Sequence, residues 1–205
     1  MTVTDGDIRP TTELLWRIHK TSGPHPSRWD EYRTHGPLTK MRWDPHPLPV
    51  GLHADCGVIY ASTDLRTAVA EVFQSTKRID PYTGDPHVTT FVPRVPLRLL
   101  ELYSDDAAWL LRHDASHSLM HGPRSTCRNW ARAILEAYRI DGLWVQSTMT
   151  GRATTVLFSP SATKLPARPR ATAPLTASTV LKALDDIATS FGRGWRFAAP
   201  GFRGR

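Results

Sequence analysis

The residues able to do chemistry in this chain fall at four separated places: Arg42-Trp43, Tyr60, Glu71 and Ser147. Glu71 is flanked by Ala68, Val69, Ala70, Val72 and Phe73. Burying a carboxylate among such neighbours is costly unless it has a partner or a purpose. A carboxylate there can stabilise positive charge developing on a sugar carbon and can orient a hydroxyl or an incoming nucleophile, as glycosidase carboxylates do. Arg42 offers a guanidinium fork, whose bidentate bonds suit a phosphate better than an ammonium does. Trp43 and Tyr60 offer flat aromatic surface for a ring, and Ser147 offers a hydroxyl for a ribose or phosphate oxygen. Arg17 is a second cation candidate.

Taken singly, these residues have ordinary structural readings. An exposed arginine solvates a surface, a strand tyrosine packs in a core, and a lone serine says little. Their conjunction is what points to a site. Other chemistries have less support. His113, His117 and His121 recur at i, i+4 and i+8, which would align three imidazoles on a helix. Gly122-Pro123 ends any helix there, however, and no cysteine or carboxylate completes a zinc set. His53, Asp55 and Cys56 are equally incomplete, so no metal site is expected. Neither cysteine lies in a nucleophile motif, and no glycine-rich phosphate loop is present.

The elements that must position these residues can be read from periodicity. Residues 14–19 read as a first strand with Arg17 embedded in it, after a loose polar lead-in over 1–12. Residues 21–55 hold six prolines between Pro24 and Pro49 and form a long irregular segment containing Arg42 and Trp43. A short apolar run over 56–61 places Tyr60 on a strand. Ser62-Thr63-Asp64 then caps a helix in which Leu65, Ala68, Val69, Val72 and Phe73 recur at helical spacing, with Glu71 on its inward side. Strands are expected at 89–95, 97–102, 143–146 and 154–158, with a short helix capped by Ser104-Asp105-Asp106 around Trp109 and an amphipathic helix over 125–138. Beyond Pro160 the composition turns to Pro, Ala, Thr and Arg, which reads as a linker to about residue 175, and 178–191 reads as a helix stopped by Gly192.

The charge divides the chain the same way. The 205 residues carry a formal net charge of +7. Residues 1–161 hold eighteen Lys and Arg against seventeen Asp and Glu, whereas 162–205 hold eight against two. A near-neutral body excludes a broad nucleic-acid-binding face. The basic tail is expected to dock on the body or on an acidic partner, and to reach nucleic acid only through itself or indirectly. No apolar stretch approaches the ~20 residues of a membrane span. No signal region opens the chain, and Cys56 and Cys127 form no disulfide framework. The cytoplasm is the expected compartment.

In order and flanks these blocks resemble the RES family, named for its arginine, glutamate and serine, whose members consume NAD as toxins of toxin–antitoxin pairs. The matching blocks are Leu14-Leu15-Trp16-Arg17-Ile18, Arg42-Trp43-Asp44-Pro45, Val58-Ile59-Tyr60-Ala61-Ser62 with Ala70-Glu71, and Trp130-Ala131 through Asp141-Gly142-Leu143 and Ser147 to Val156-Leu157-Phe158. Met41 stands where the family usually has glycine or asparagine. The resemblance covers about residues 13–161 and leaves out the tail.

The family implies an ADP-ribosyltransferase-like α/β (α+β) core, a curved or split mixed sheet with flanking helices. The expected organisation is one domain over 13–161 plus a C-terminal tail over 162–205. The implied activity is cleavage of the nicotinamide–ribose bond of NAD by hydrolysis or phosphorolysis, with no cofactor beyond the NAD substrate and phosphate as a possible co-substrate. Glu71, Arg42, Tyr60 and Ser147 would be catalytic, and Arg17, Arg42, Trp43, Tyr60 and Ser147 would bind NAD. The implied partner is a helix-turn-helix antitoxin, and homo-oligomers are open. Two alternatives stand beside this reading: a mono-ADP-ribosyltransferase acting on a macromolecule, and a non-catalytic module with a nucleic-acid-binding tail. A protein acceptor normally calls for a polar residue two positions before the catalytic glutamate. Val69 stands there, which favours a small acceptor.

Overall fold

The computed structural model of the chain describes residues 2–104, 106–115, 119 and 122–198. In chain order its strands begin with β1 (Ile8–Thr11), β2 (Leu15–Lys20), β3 (His35–Gly36), β4 (Gly51–Leu52), β5 (Val58–Ser62) and β6 (Arg78–Ile79). They continue with β7 (Pro86–Phe91), β8 (Leu97–Glu101), β9 (Gly142–Gln146), β10 (Ala153–Phe158), β11 (Ala171–Pro174) and β12 (Arg196–Phe197). The main helices are α1 (Leu65–Phe73), α2 (Ala108–Arg112), α3 (Arg124–Ala137) and α4 (Ser178–Phe191).

Eight strands form one mixed sheet in the order β1-β8-β9-β10-β5-β2-β7-β11, in which β8 and β9 run parallel and every other neighbouring pair antiparallel. The sheet is nearly split in two. β5 and β2 meet through a single register pair, Trp16 with Ser62, whereas β2 and β7 share six. The mixed, divided sheet expected from the sequence is therefore present.

Strand alternation assigns each side chain to a face. Val58 and Tyr60 point to the face where Leu143, Val145, Val156, Cys127, Ala131 and Ile134 pack. Ile59 and Ala61 point to the opposite face with Leu15, Phe91, Trp144 and Leu157. A third cluster joins Trp16 and Ile18 of β2 to Val69 and Phe73 of α1 and Leu184 and Ala188 of α4. Both helices form where the periodicity placed them, but the buried side of α3 is set by Cys127, Ala131 and Ile134 rather than by Trp130, Ala133, Ala137 and Tyr138, and α4 ends at Gly192, whose φ of 79° is a conformation glycine adopts freely.

Several segments differ from the sequence expectation: the strand expected at 89–95 runs over Pro86–Phe91, and the segment read as irregular contains the short β3 and β4. The lead-in over 1–12 contains β1, and the segment read as a linker contains β11. Both are edge strands whose partners, β8 and β7, supply the pairing that their own short, proline-containing sequences do not advertise. The linker is also tied down: Arg94 Nε donates to the Leu165 carbonyl at 3.1 Å. α2 starts at Ala108 without a side-chain cap, so Ser104-Asp105-Asp106 is not its N-terminus, and Asp105 lies outside the described residues. The basic tail docks on the body through α4, as expected. Among the described residues no helix is long and apolar enough to cross a membrane.

Candidate active site

Asp64 sets the phase of α1. Its carboxylate accepts from the Thr67 N–H at 2.8 Å and from the Thr67 hydroxyl at 2.9 Å. With the helix started there, Val69, Ala70 and Phe73 turn inward and Glu71 emerges half-buried at the rim. Ser147 reaches it from the other end of the sequence. β9 ends at Gln146 and the chain reverses into β10, with the Ser147 N–H bonded to the Arg152 carbonyl at 2.8 Å and the Gly151 N–H to the Ser147 carbonyl at 2.9 Å. Ser147 Oγ accepts from the N–H groups of Met149 and Thr150 at 3.2 and 3.3 Å. Its own proton is thus directed to Glu71 Oε1, 2.5 Å away. The other carboxylate oxygen, Oε2, accepts from Gln74 Nε2 at 3.0 Å. Both oxygens of Glu71 are therefore held, each by a neutral donor.

Tyr60 lies on the same sheet face as the Ser147 end of β9, paired across to Val156. The residue is half-buried, and its hydroxyl is buried without a well-formed hydrogen bond. Burial pushes the phenol far above its usual titration range; Asp44, Arg33, the Trp43 backbone and Glu71 all lie close enough to act on it. A buried hydroxyl without a partner calls for an explanation, and a ligand's polar group is one that chemistry supplies.

Arg42 and Trp43 follow Lys40 in the irregular loop. Arg42 is half-buried, and its Nη1 donates to the Gly122 carbonyl at 2.7 Å just ahead of α3. Nε and Nη2 keep their donors free of partners among the described residues. The next residue, Trp43, is 3 % exposed and packs in the core with Val58 and Leu100, so it supports the loop from beneath. Asp44 is fully buried. Its carboxylate accepts from Arg33 Nη2 at 3.0 Å and the Leu38 N–H at 2.7 Å, and pairs with His46 Nδ1. Burial pushes the Asp44 carboxyl up, but the bonds from His46 and Leu38 and the charge of Arg33 outweigh it and hold the group below the usual carboxylate range. Outside the loop, Arg128 Nη1 bonds to the Thr39 and Met41 carbonyls at 3.0 and 3.3 Å, and Arg132 bonds to the His46 carbonyl.

Glu71, Ser147 and Tyr60 thus come together around one face of the sheet, with the Arg42 loop anchored behind Tyr60 through Asp44. Arg17 does not join them. On β2 it shares the face of Leu15, opposite Tyr60, and its Nη1 donates to the carbonyls of Trp29 at 2.6 Å and Glu31 at 3.1 Å. Burial pushes its guanidinium down to about 10. A cleft of about 570 Å³ also opens elsewhere: Arg9, Glu101, Tyr103, Trp144 and Arg152 line it, and none of the proposed site residues does. Its charges largely satisfy one another, with Arg9 on Glu13 at 2.8 Å and its guanidinium 4.3 Å from the Trp144 ring centre. The chemistry of the Glu71 cluster outweighs the size of that cleft. No metal-binding group forms among the described residues. His113 closes α2, and His117 and His121 lie outside the described residues.

Gln74, Asp44, Arg33, His46, Arg128 and Arg132 are site residues that sequence reasoning missed. Gln74 carried a readable signal, since a residue three positions after Glu71 lies over the same part of the helix. The spacing of Arg128 and Arg132 carried the same kind of signal for α3.

Comparison with curated protein sequences returns no match. Among solved structures, a chain in the crystal structure of the M. tuberculosis MbcT-MbcA toxin–antitoxin complex is similar in fold, with a TM-score of 0.58 at 15 % identity over 86 % of this chain and 91 % of that chain. The family model for the RES domain matches residues 14–178, running past residue 161 and taking in the strand β11 that completes the sheet. The chain belongs to the RES family.

Proposed function

We propose that the protein cleaves the nicotinamide–ribose bond of NAD and releases nicotinamide. The observation that carries this reading is the Glu71 carboxylate, fixed by Ser147 and Gln74 on the sheet face that Tyr60 shares. Nicotinamide leaves as a neutral molecule while the ribose carbon gains positive charge. An oriented carboxylate at a half-buried rim stabilises that charge more strongly than water would. Tyr60, half-buried on the same sheet face, is the aromatic residue offered to the nicotinamide ribose, and the free donors of Arg42 suit the diphosphate. Val69, two positions before Glu71, is fully buried and offers nothing to a protein acceptor, which supports a small acceptor over a macromolecule.

Membership of the family and the likeness to a chain of a toxin–antitoxin complex support a toxin role, with a helix-turn-helix protein as its neutralising partner. The test is to incubate the purified protein with NAD and measure nicotinamide, with Glu71→Gln alongside. Nicotinamide appears with the native protein and not with the variant. Equal release by both would remove Glu71 from the mechanism.

A further inference from the structure

We infer that Gln74, together with Glu71, selects a neutral nucleophile, so that the acceptor in this site is water rather than phosphate. The inference rests on the NAD-cleaving reading above and names the acceptor that it leaves open.

Gln74 is the last residue to close α1, and its side chain folds back over the turn it terminates. Nε2 donates to the Glu71 carbonyl at 2.9 Å and to Glu71 Oε2 at 3.0 Å. Both of those atoms can only accept, so the amide nitrogen, not its oxygen, must face them. The side-chain Oε1, on the same amide, has no partner among the described residues. A fixed acceptor therefore sits beside a fixed carboxylate. A water molecule has the matching pair of protons: one for Glu71 Oε2, one for Gln74 Oε1. Its lone pair is then left to attack.

A phosphate dianion meets the opposite environment. The groups bonded to Glu71 are the Ser147 hydroxyl and the Gln74 amide, both uncharged, and no cation pairs with Glu71 among the described residues. Like charges brought together without a cation between them repel, the more so away from bulk water. Gln74 Oε1, being an acceptor, offers an unprotonated phosphate oxygen nothing.

The step balances. The water oxygen forms a bond to the ribose C1″ as the bond from C1″ to the nicotinamide nitrogen breaks. The electron pair of that bond returns to the ring and neutralises it. The water proton passes to Glu71 and then to solvent, leaving ADP-ribose.

The test is to identify the ribosyl product by mass spectrometry when the full-length protein consumes NAD in the presence of millimolar phosphate. The expected product is ADP-ribose, unchanged by adding phosphate. Gln74→Met, close in size but lacking the acceptor, should lower kcat about tenfold while KM for NAD stays within about twofold, since NAD binding does not use Oε1. A thermal melt checks that the variant is folded, and the product formed by the native protein decides the matter if it is not. ADP-ribose 1″-phosphate as the main product overturns the inference while upholding NAD cleavage. So does a folded Gln74→Met with native kcat. Failure to release nicotinamide under any condition overturns both.

Discussion

The two sides of Tyr60 are built on opposite principles. On one side, α1 and the turn over 147–151 hold Glu71 with a hydroxyl and an amide, and no ion pair is involved among the described residues. On the other, the loop over 33–46 is fastened by charge: Asp44 to Arg33 and His46 within, Arg128 and Arg132 to backbone carbonyls without. Neutral donors keep a carboxylate available for charge that appears during a reaction, because they do not neutralise it beforehand. Ion pairs and guanidinium–carbonyl bonds are better suited to holding a loop without regular secondary structure in one place. On the proposed function, the contrast separates a reacting side from an anchoring side.

The sharpest way to break that division is Glu71→Gln, which keeps the shape and the Ser147 bond but removes the charge. Nicotinamide release should fall at least about a thousandfold, with the circular dichroism melt unchanged. Asp44→Asn should do the reverse. Breaking a buried pair leaves the Arg33 guanidinium without its carboxylate, so stability at neutral pH should drop by about 3 kcal/mol in urea unfolding. The pH dependence has a definite sign. Asp44 titrates below the usual 3.8, so its contribution is present above that value and is lost as pH falls through the lower folded value. The stability gap between the native protein and the Asp44→Asn variant should close on acidification. A gap that is constant with pH would mean Asp44 acts only by its shape.

Arg42→Lys tests the anchoring side at the point where it is proposed to meet substrate. Losing the fork should raise KM for NAD about tenfold with a smaller change in kcat. Unchanged KM would leave Arg42 as a purely structural tie to the Gly122 carbonyl. The smallest effect is expected at Arg17, on the opposite face of the sheet. Arg17→Lys should leave KM for NAD within about twofold while lowering the melting temperature, since only its bonds to Trp29 and Glu31 are disturbed.

Much of this arrangement was legible in the sequence where local pattern and function agree. The cap at Asp64, the apolar repeat that follows and the carboxylate inside it located α1 and Glu71 before any fold was known. Ser147 was legible only in conjunction, because a serine after a strand has no signature of its own and its bond to Glu71 spans 76 residues. The role expected of Trp43 was harder still. Its type suits ring stacking, but whether it faces a ligand or a core depends on how a loop without periodicity folds back, and here it packs inward. Asp44 and His46 were hidden by the same lack of pattern. The β1 and β11 strands went unseen because pairing at an edge is supplied by the neighbour.

Those two edges set how the molecule can associate. β1 carries Pro10 and β11 carries Pro174, each in register with a residue of the inner strand beside it. A foreign strand approaching either margin meets a position with no N–H to give, at the place where open sheets usually grow into fibres. Copies of this chain cannot readily polymerise by stitching sheet to sheet. Association is left to faces, helices and loops, where side chains rather than a shared backbone ladder decide which surfaces meet.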